Sequence, residues 1–152
     1  MRFVVVMLLG LIGLGMLLPG CAPTPPEIVS VRGTVTLNGK PLPGAEVQFV
    51  PMIQGFGGEY IATALTDDQG RYELKVLGKS GACACENRVT VSEGPLPEDA
   101  RGQSAASQMR ATRFLAALKN RPIPDKYTNL AQSPLKVEVK LGQSEYPLEL
   151  MR

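Results

Sequence analysis

The stretch VRGTVTLNGKPLPGAEVQFVP, residues 31–51, carries the pattern that decides the fold. Apolar residues alternate with polar ones on both sides of a central turn, and a period of two residues is that of a half-buried strand. The turn itself is Asn38-Gly39, which suits a tight hairpin because both residues tolerate a positive φ. The side chains expected to point inward are Val29, Val31, Val35, Leu37, Ala45, Val47 and Phe49.

Five further alternating runs predict strands at about residues 60–66, 71–76, 86–92, 135–141 and 146–150. Pro147 lies on the outer side of the last run, which suits an edge strand. Seven short strands separated by turn residues favour an all-β, seven-stranded antiparallel β-sandwich. The inward positions in the five runs are Tyr72, Leu74, Val76, Val89, Val91, Leu135, Val137, Val139, Leu141, Tyr146, Leu148 and Leu150.

One short helical insertion interrupts the strands at about residues 95–125. Residues 102–120 carry the spacing of a helix, and Pro122 and Pro124 end it. We expect the apolar stripe to pack on the sandwich and leave Arg110 and Arg113 in solvent, although a basic amphipathic helix can also lie on an anionic membrane. The stripe consists of Ala111, Phe114, Leu115 and Leu118.

The N-terminal segment has the properties of a signal peptide. Residues 3–18 are apolar, and as a helix they would span about 24 Å, short of the ~30 Å hydrocarbon core. Leu18-Pro19-Gly20-Cys21 resembles the lipobox of bacterial lipoproteins. The resemblance implies cleavage after residue 20, a diacylglyceryl group on Cys21, a proline-rich tether over residues 21–26, and anchorage on the non-cytoplasmic side of a membrane. An ordinary secretory signal and an uncleaved anchor are the alternatives.

Residues 27–152 resemble the carboxypeptidase regulatory-like domain, a transthyretin-like or Ig-like sandwich, and the ending IPDKY onward resembles that of small bacterial surface lipoproteins. The sequence departs from the family's pattern at Cys85, where glycine is usual, and at Asn87, where tyrosine is usual. These motifs specify turns and packing, so they imply a fold more than a function. The matching residues are Gly33, Val35, Gly39, Pro41, Gly44, Ala45, Val47, Thr66, Asp67, Gly70, Tyr72, Val89 and Val91.

The amino-acid composition excludes several classes of function. The 16 basic and 14 acidic residues nearly balance, which gives no electrostatic argument for nucleic-acid binding. The sequence has no histidine, which excludes nucleophilic catalysis that depends on histidine. It has three cysteines, of which one is predicted to carry lipid, so too few ligands remain for a closed zinc site. Cys83 and Cys85 can be two small residues beside a loop, a disulfide that needs a local bend, or soft-metal ligands. We predict no metal and no cofactor.

Three functions remain as expectations. The first is a non-catalytic, lipid-anchored module of the cell envelope with a structural or protein-binding role. The second is a glycan-binding surface domain, with Phe56 and Tyr60 beside a glycine-rich loop as the candidate platform. The third is a redox or metal accessory protein that uses Cys83 and Cys85. Other candidate binding residues are Arg110, Arg113, Lys126 and Tyr127, although Tyr127 is also expected to close one end of the sandwich.

Overall fold

The computed structural model describes residues 24–56 and 58–152. The predicted signal peptide, Cys21 and the first residues of the tether therefore lie outside the described residues. Thr24 and Pro25 are exposed, and the first strand starts at Ile28. The tether thus leads directly into the folded domain.

The described residues are mostly β, with two short α-helices, α1 (Ala105–Ala117) and α2 (Asp125–Thr128), and single 3-10 turns at Gly58–Tyr60 and Glu98–Ala100. The strands are shorter and more numerous than predicted, because bends divide several of the alternating runs. In chain order they are β1 (Ile28–Val29), β2 (Arg32–Leu37), β3 (Lys40–Pro41), β4 (Ala45–Pro51), β5 (Ala62–Leu65), β6 (Arg71–Glu73), β7 (Lys75–Val76), β8 (Lys79–Ser80), β9 (Ala82–Cys83), β10 (Glu86–Glu93), β11 (Lys136–Glu138) and β12 (Leu148–Leu150).

These strands form two main sheets. One has the order β11-β10-β4-β5-β7-β8, and its longest pairing joins β4 to β10 from Ala45–Glu93 to Pro51–Asn87. The other has the order β12-β2-β3, with β6 paired to the first half of β2. A separate short pair, β1 with β9, lies where the tether joins the domain.

Both sheets contribute to one buried core. Val35 and Leu37 of β2 and Phe49 of β4 are fully buried, as is Val89 of β10. The polar residues between them point outward, because successive side chains of a strand face opposite sides. The alternation therefore predicted the buried faces of β2, β4 and β10 correctly.

The run at residues 71–76 crosses from one sheet to the other. β6 pairs with β2, whereas β7 pairs with β5, and Leu74 lies between them. At the crossing the N–H of Leu74 donates to the carbonyl of Val31 at 2.9 Å. The predicted single strand was therefore wrong, but its inward side chains are buried as predicted: Tyr72, Leu74 and Val76.

Two other expectations also fail. β12 is an edge strand, as Pro147 suggested, but it runs parallel to β2, so the sheets are not wholly antiparallel. Leu141 was expected to point inward and is 64% exposed, because β11 ends at Glu138 and the chain turns at Gly142.

Gly33 of β2 lies against the chain segment that precedes β12. A Cβ built on it would lie 2.2 Å from the carbonyl oxygen of Tyr146. That same oxygen accepts a hydrogen bond of 2.5 Å from the hydroxyl of Tyr72. Only glycine allows β2 and the chain before β12 to come together here.

Helix α1 lies on the outside of the domain. The hydroxyl oxygen of Ser104 caps it by accepting from the N–H of Ser107 at 3.1 Å. None of its residues is buried. Phe114 and Leu118 are half-buried, but Leu115, expected in the packed stripe, is 48% exposed. Within residues 24–56 and 58–152, no helix has the length and apolarity needed to cross a membrane.

Candidate functional site

The domain has two opposite ends, defined by strand β10. At the start of β10, which we call the tether end, the N–H of Ala84 donates to the carbonyl of Glu27 at 2.8 Å. At the other end, the far end, Glu93 closes β10 and pairs with Ala45. An eight-residue strand separates the two by about 23 Å.

A surface pocket of about 560 Å³ lies at the far end. Its walls come from the β2–β3 hairpin, the turn before β6, the chain that follows α1, and the C-terminal residue. Four of its side chains are cationic and one is acidic. We call it the basic pocket; its charged residues are Lys40, Lys119, Arg121, Arg152 and Asp68.

Asn120 assembles the wall of the basic pocket. Its backbone has a φ of 59°, a left-handed conformation that asparagine adopts more readily than most residues. Its amide nitrogen donates to the carbonyls of Leu37 at 3.0 Å, Lys40 at 3.1 Å and Pro41 at 3.3 Å. One side chain therefore ties the chain after α1 to the β2–β3 hairpin.

Arg121 has a structural role in the pocket. Its guanidinium pairs with Glu93 at 2.7 Å and donates to the carbonyls of Pro43 and Lys119, both at 2.8 Å. Its side chain is only 15% exposed. Its charge is therefore already compensated by Glu93.

The other three cations of the pocket are not compensated in this way. Among the residues that the structure describes, no ion pair involves Lys40, Lys119 or Arg152. Arg152 is positioned by hydrogen bonds of 3.2 Å to the side-chain oxygen of Asn120 and to the carbonyl of Arg121. The basic pocket thus presents three cationic groups against Asp68.

An apolar groove of about 440 Å³ adjoins the basic pocket. The two share Pro43, Asp68, Gln69 and Lys119, so they form one continuous surface. The groove runs between the C-terminal end of α1 and β5. Its apolar side chains are Leu65, Phe114 and Leu118.

The predicted aromatic platform lies at the tether end. The rings of Phe56 and Tyr60 are 5.2 Å apart between centroids and meet edge to face. Both are half-buried. The structure therefore brings these two residues together, but as a packed pair rather than as two parallel faces.

Cys83 and Cys85 are free thiols at the same end. The N–H of Cys85 donates to the carbonyl of Cys83 at 2.9 Å, which closes a three-residue turn at Ala84. This turn supplies the bend that a disulfide between them would need. Burial raises the pKa of Cys83 to about 11 and also raises the pKa of Cys85.

The basic residues of the insertion separate in the structure. Arg110 lies beside Asp99, with Nε 3.8 Å from the carboxylate and a second nitrogen 3.1 Å from the carbonyl. Arg113 is exposed. Lys126 lies 5.0 Å from the ring centroid of Tyr127, within the range of a cation–π contact. A ligand contact of any of these stays a prediction.

Tyr127 is buried, and its hydroxyl makes hydrogen bonds in both directions with the backbone of Met151, at 2.9 and 3.1 Å. The hydroxyl thus has its partners within the domain. In this structure Tyr127 closes the core beside β12.

The Asp67–Gly70 hairpin is explained by its own hydrogen bonds. One carboxylate oxygen of Asp67 accepts from the N–H groups of Gln69 and Arg71, both at 2.9 Å, and the other pairs with the Arg71 guanidinium. These hydrogen bonds lower the pKa of Asp67, and the bond from the Arg71 N–H has the largest effect. No group of three His, Cys, Asp or Glu able to hold a metal occurs in the described part of the chain.

None of the residues that the sequence singled out as binding candidates lines the basic pocket. Lys119 and Arg121 belong to the predicted insertion, but nothing in the sequence placed Lys40 or Arg152 beside them. Their proximity depends on the parallel pairing of β12 and on the contacts of Asn120. No family model, curated protein or solved structure matches the chain.

Proposed function

We propose that the protein is a non-catalytic, lipid-anchored module of the cell envelope that binds a protein partner at its far end. The observation that supports this proposal is that the predicted anchor and the candidate binding surface lie at opposite ends of the domain. The predicted anchor leads into the tether end, whereas the basic pocket and the apolar groove lie at the opposite end of β10. A domain tethered in this way can present its far end away from the membrane.

The proposed fold is the seven-stranded, transthyretin-like sandwich of carboxypeptidase regulatory-like domains. Two sheets that share one core support it, as does the burial of motif positions such as Val35, Ala45 and Val91. In the proposed fold, the short strands β6 and β7 count as one strand that changes sheets.

The shifted pKa values favour a structural rather than a catalytic assignment. Perturbed groups in an active site usually face a cleft where substrate binds. Tyr72 and Asp67 both line a surface pocket of about 390 Å³, but each shift has a structural cause. The pKa of Tyr72 is raised because the residue is buried in the core, and the pKa of Asp67 is lowered because its carboxylate accepts turn hydrogen bonds. Cys83 and Cys85 have raised pKa values through burial, which opposes thiolate formation.

The anchor is tested by mass spectrometry of the N-terminal peptide of protein isolated from bacterial membranes. We expect the mature peptide to start at Cys21 and to carry two or three acyl chains, which together anchor far more firmly than one chain. Cys21→Ser is expected to give unprocessed, unacylated protein, whereas the matched variant Cys85→Ser keeps the modification. An unmodified Cys21 in wild-type protein contradicts the proposal.

The partner is tested by crosslinking the anchored protein in living cells. A near-stoichiometric protein that is lost when Lys40 and Lys119 are changed supports a partner at the far end. A protein that remains attached after these changes, or no crosslinked protein at all, contradicts binding at that end and leaves a structural role.

Glycan binding is the second candidate, and the contact between Phe56 and Tyr60 favours it. Aromatic rings near a loop can contact sugar rings. The test is binding of the anchored protein to immobilised envelope polysaccharide, with Tyr60→Ala against Tyr60→Phe. Unchanged binding of Tyr60→Ala removes this platform from consideration.

A further inference from the structure

We propose that the basic pocket and the apolar groove together bind an acidic segment of a protein, in which a carboxylate side chain lies two positions from an apolar one. This inference rests on the proposed protein-binding function and names the chemistry of its ligand. The carboxylate occupies the basic pocket. The apolar side chain lies in the groove.

The charges of the pocket select an anion. Lys40 and Lys119 have exposed ammonium groups with no acidic partner among the described residues, and Arg152 adds a guanidinium held in place by Asn120. Exposed like charges repel each other, so an anionic ligand relieves this repulsion as well as making new ion pairs. Of the residues described, Asp68 is the single acidic side chain that lines the pocket, and no ion pair joins it to any of the three cations.

A second surface pocket provides a comparison, because its cationic side chains are paired with acidic ones. It measures about 390 Å³ and contains the pairs Arg32–Glu145, at 2.6 Å, and Arg71–Asp67, at 2.8 Å. Each cation there already has an acidic partner. The basic pocket differs because its free cations outnumber its acid.

The adjoining groove distinguishes a peptide from a simple anion. Leu65 is 55% exposed on the edge of the groove, and Phe114 and Leu118 form its other wall. In an extended peptide, side chains two positions apart face the same side and are separated by about 6.6 Å along the chain. An acidic residue in the pocket therefore places the apolar residue two positions away at the groove, which inorganic phosphate cannot do.

The position of the surface favours a partner other than the anchoring membrane. The basic pocket is separated from the tether end by the length of β10, about 23 Å. Lipid headgroups of the anchoring membrane adjoin the opposite end. An acidic protein segment can reach the far end from the surrounding envelope space.

The test uses full-length acylated protein in neutral phosphatidylcholine nanodiscs. Its probe is a fluorescein-labelled peptide with the repeat Glu-Ser-Leu-Ser, in which glutamate and leucine share a face, and binding is measured by fluorescence anisotropy. We expect saturable binding that weakens as salt rises, because salt screens exposed charges. Peptides with glutamine in place of glutamate, or serine in place of leucine, are expected to bind at least fivefold more weakly.

Two paired variants locate the site. Lys40→Gln with Lys119→Gln is expected to weaken binding roughly tenfold, since each exposed ion pair contributes a modest amount. Lys75→Gln with Lys79→Gln removes the same charge from the β7–β8 hairpin and is expected to change binding less than twofold. Leu65→Thr tests the groove and is expected to weaken binding about threefold, while thermal unfolding confirms that each variant folds.

Four outcomes overturn the inference. The first two are that the wild type shows no saturable binding, and that the glutamine peptide binds as well as the glutamate peptide. The third is that the two lysine pairs have equal effects on binding. The fourth is that oligogalacturonate or phosphatidylglycerol vesicles displace the peptide while peptide binding does not depend on leucine. The acylation of Cys21 and the in-cell crosslink are measured independently of these outcomes. Failure of the inference is therefore distinguishable from failure of the proposed function.

Discussion

The side-chain amide of Asn87 determines the shape of the segment that carries both cysteines. It is fully buried and donates to the carbonyls of Cys83 at 3.1 Å and Cys85 at 2.9 Å. The tyrosine usual at this position in the family that the sequence resembles has one hydroxyl and cannot reproduce this pair of bonds. Asn87 therefore holds the backbone of residues 83–85 in its bent form.

The two thiols are expected to react at different rates. In the mature protein at pH 8, N-ethylmaleimide is predicted to modify Cys85 at least tenfold faster than Cys83. Cys83 is fully buried, and its pKa of about 11 leaves almost no reactive thiolate at that pH. Mass spectrometry of the cysteine peptides over time measures both rates.

Cys85→Ser provides the control, since it leaves only the slow thiol until the protein is unfolded. Equal rates of modification of Cys83 and Cys85 would contradict the burial of Cys83 in the structure. If neither residue reacts and the intact mass is lower by two hydrogens, the pair is a disulfide in the native protein, and the redox alternative gains support over free structural cysteines.

At the scale of secondary-structure elements, Asn120 joins a helix to a hairpin that is distant in sequence. The segment after α1 makes no strand pairing with β2 or β3, and the three carbonyls that accept from Asn120 belong to that hairpin. Lys40, Lys119 and Arg152 converge because this contact holds their elements together. The geometry of the basic pocket thus depends on a residue that is itself uncharged.

Asn120→Asp is expected to destabilise the protein by about 1–3 kcal/mol, because a carboxylate facing carbonyl oxygens cannot donate. Asn129→Asp is the matched control. Its side-chain oxygen accepts from the N–H of Ala131, which aspartate can also do, so we expect a change within about 0.5 kcal/mol. Urea denaturation measures both, and equal stabilities of the two variants would refute the role of Asn120.

The alternation in the sequence was sufficient to predict β2, β4 and β10, because each is long and has a neighbour on both sides. The alternation failed for Leu141, and the helical spacing failed for Leu115. Both residues keep the correct period but lie where the sheet or the core has already ended. A local pattern reports which side chains share a face. It does not report whether another element covers that face, so the exposed groove and the placement of Arg152 required the tertiary structure.

On the scale of the whole molecule, the C-terminal strand completes the fold by pairing beside one of the first strands. β12 runs parallel to β2, and the N–H of Tyr146 donates to the carbonyl of Arg32 at 2.8 Å. Three side chains from this segment enter the core: Tyr146, Leu148 and Leu150. The core is therefore incomplete until the last residues of the chain are in place.

A chain that stops after residue 145 is predicted to lose cooperative unfolding. Removing a single large buried apolar side chain costs about 2–5 kcal/mol, and this truncation removes three from a domain whose total stability is expected to be about 5–15 kcal/mol. Circular dichroism during heating is the measurement. Arg152→Gln, which keeps the strand, is expected to unfold cooperatively, and a cooperative transition in the truncated chain would contradict the prediction.

The ion pair between Glu93 and Arg121 fixes both ends of the helical insertion. Glu93 is the last residue of β10, and Arg121 lies two residues before the buried Ile123, so the insertion leaves and rejoins the sheets at one point. Its helix α1 contributes no buried side chain. The segment between Glu93 and Arg121 can therefore be exchanged or lengthened without altering strand register, which makes the far end of the domain suitable for grafting new loops.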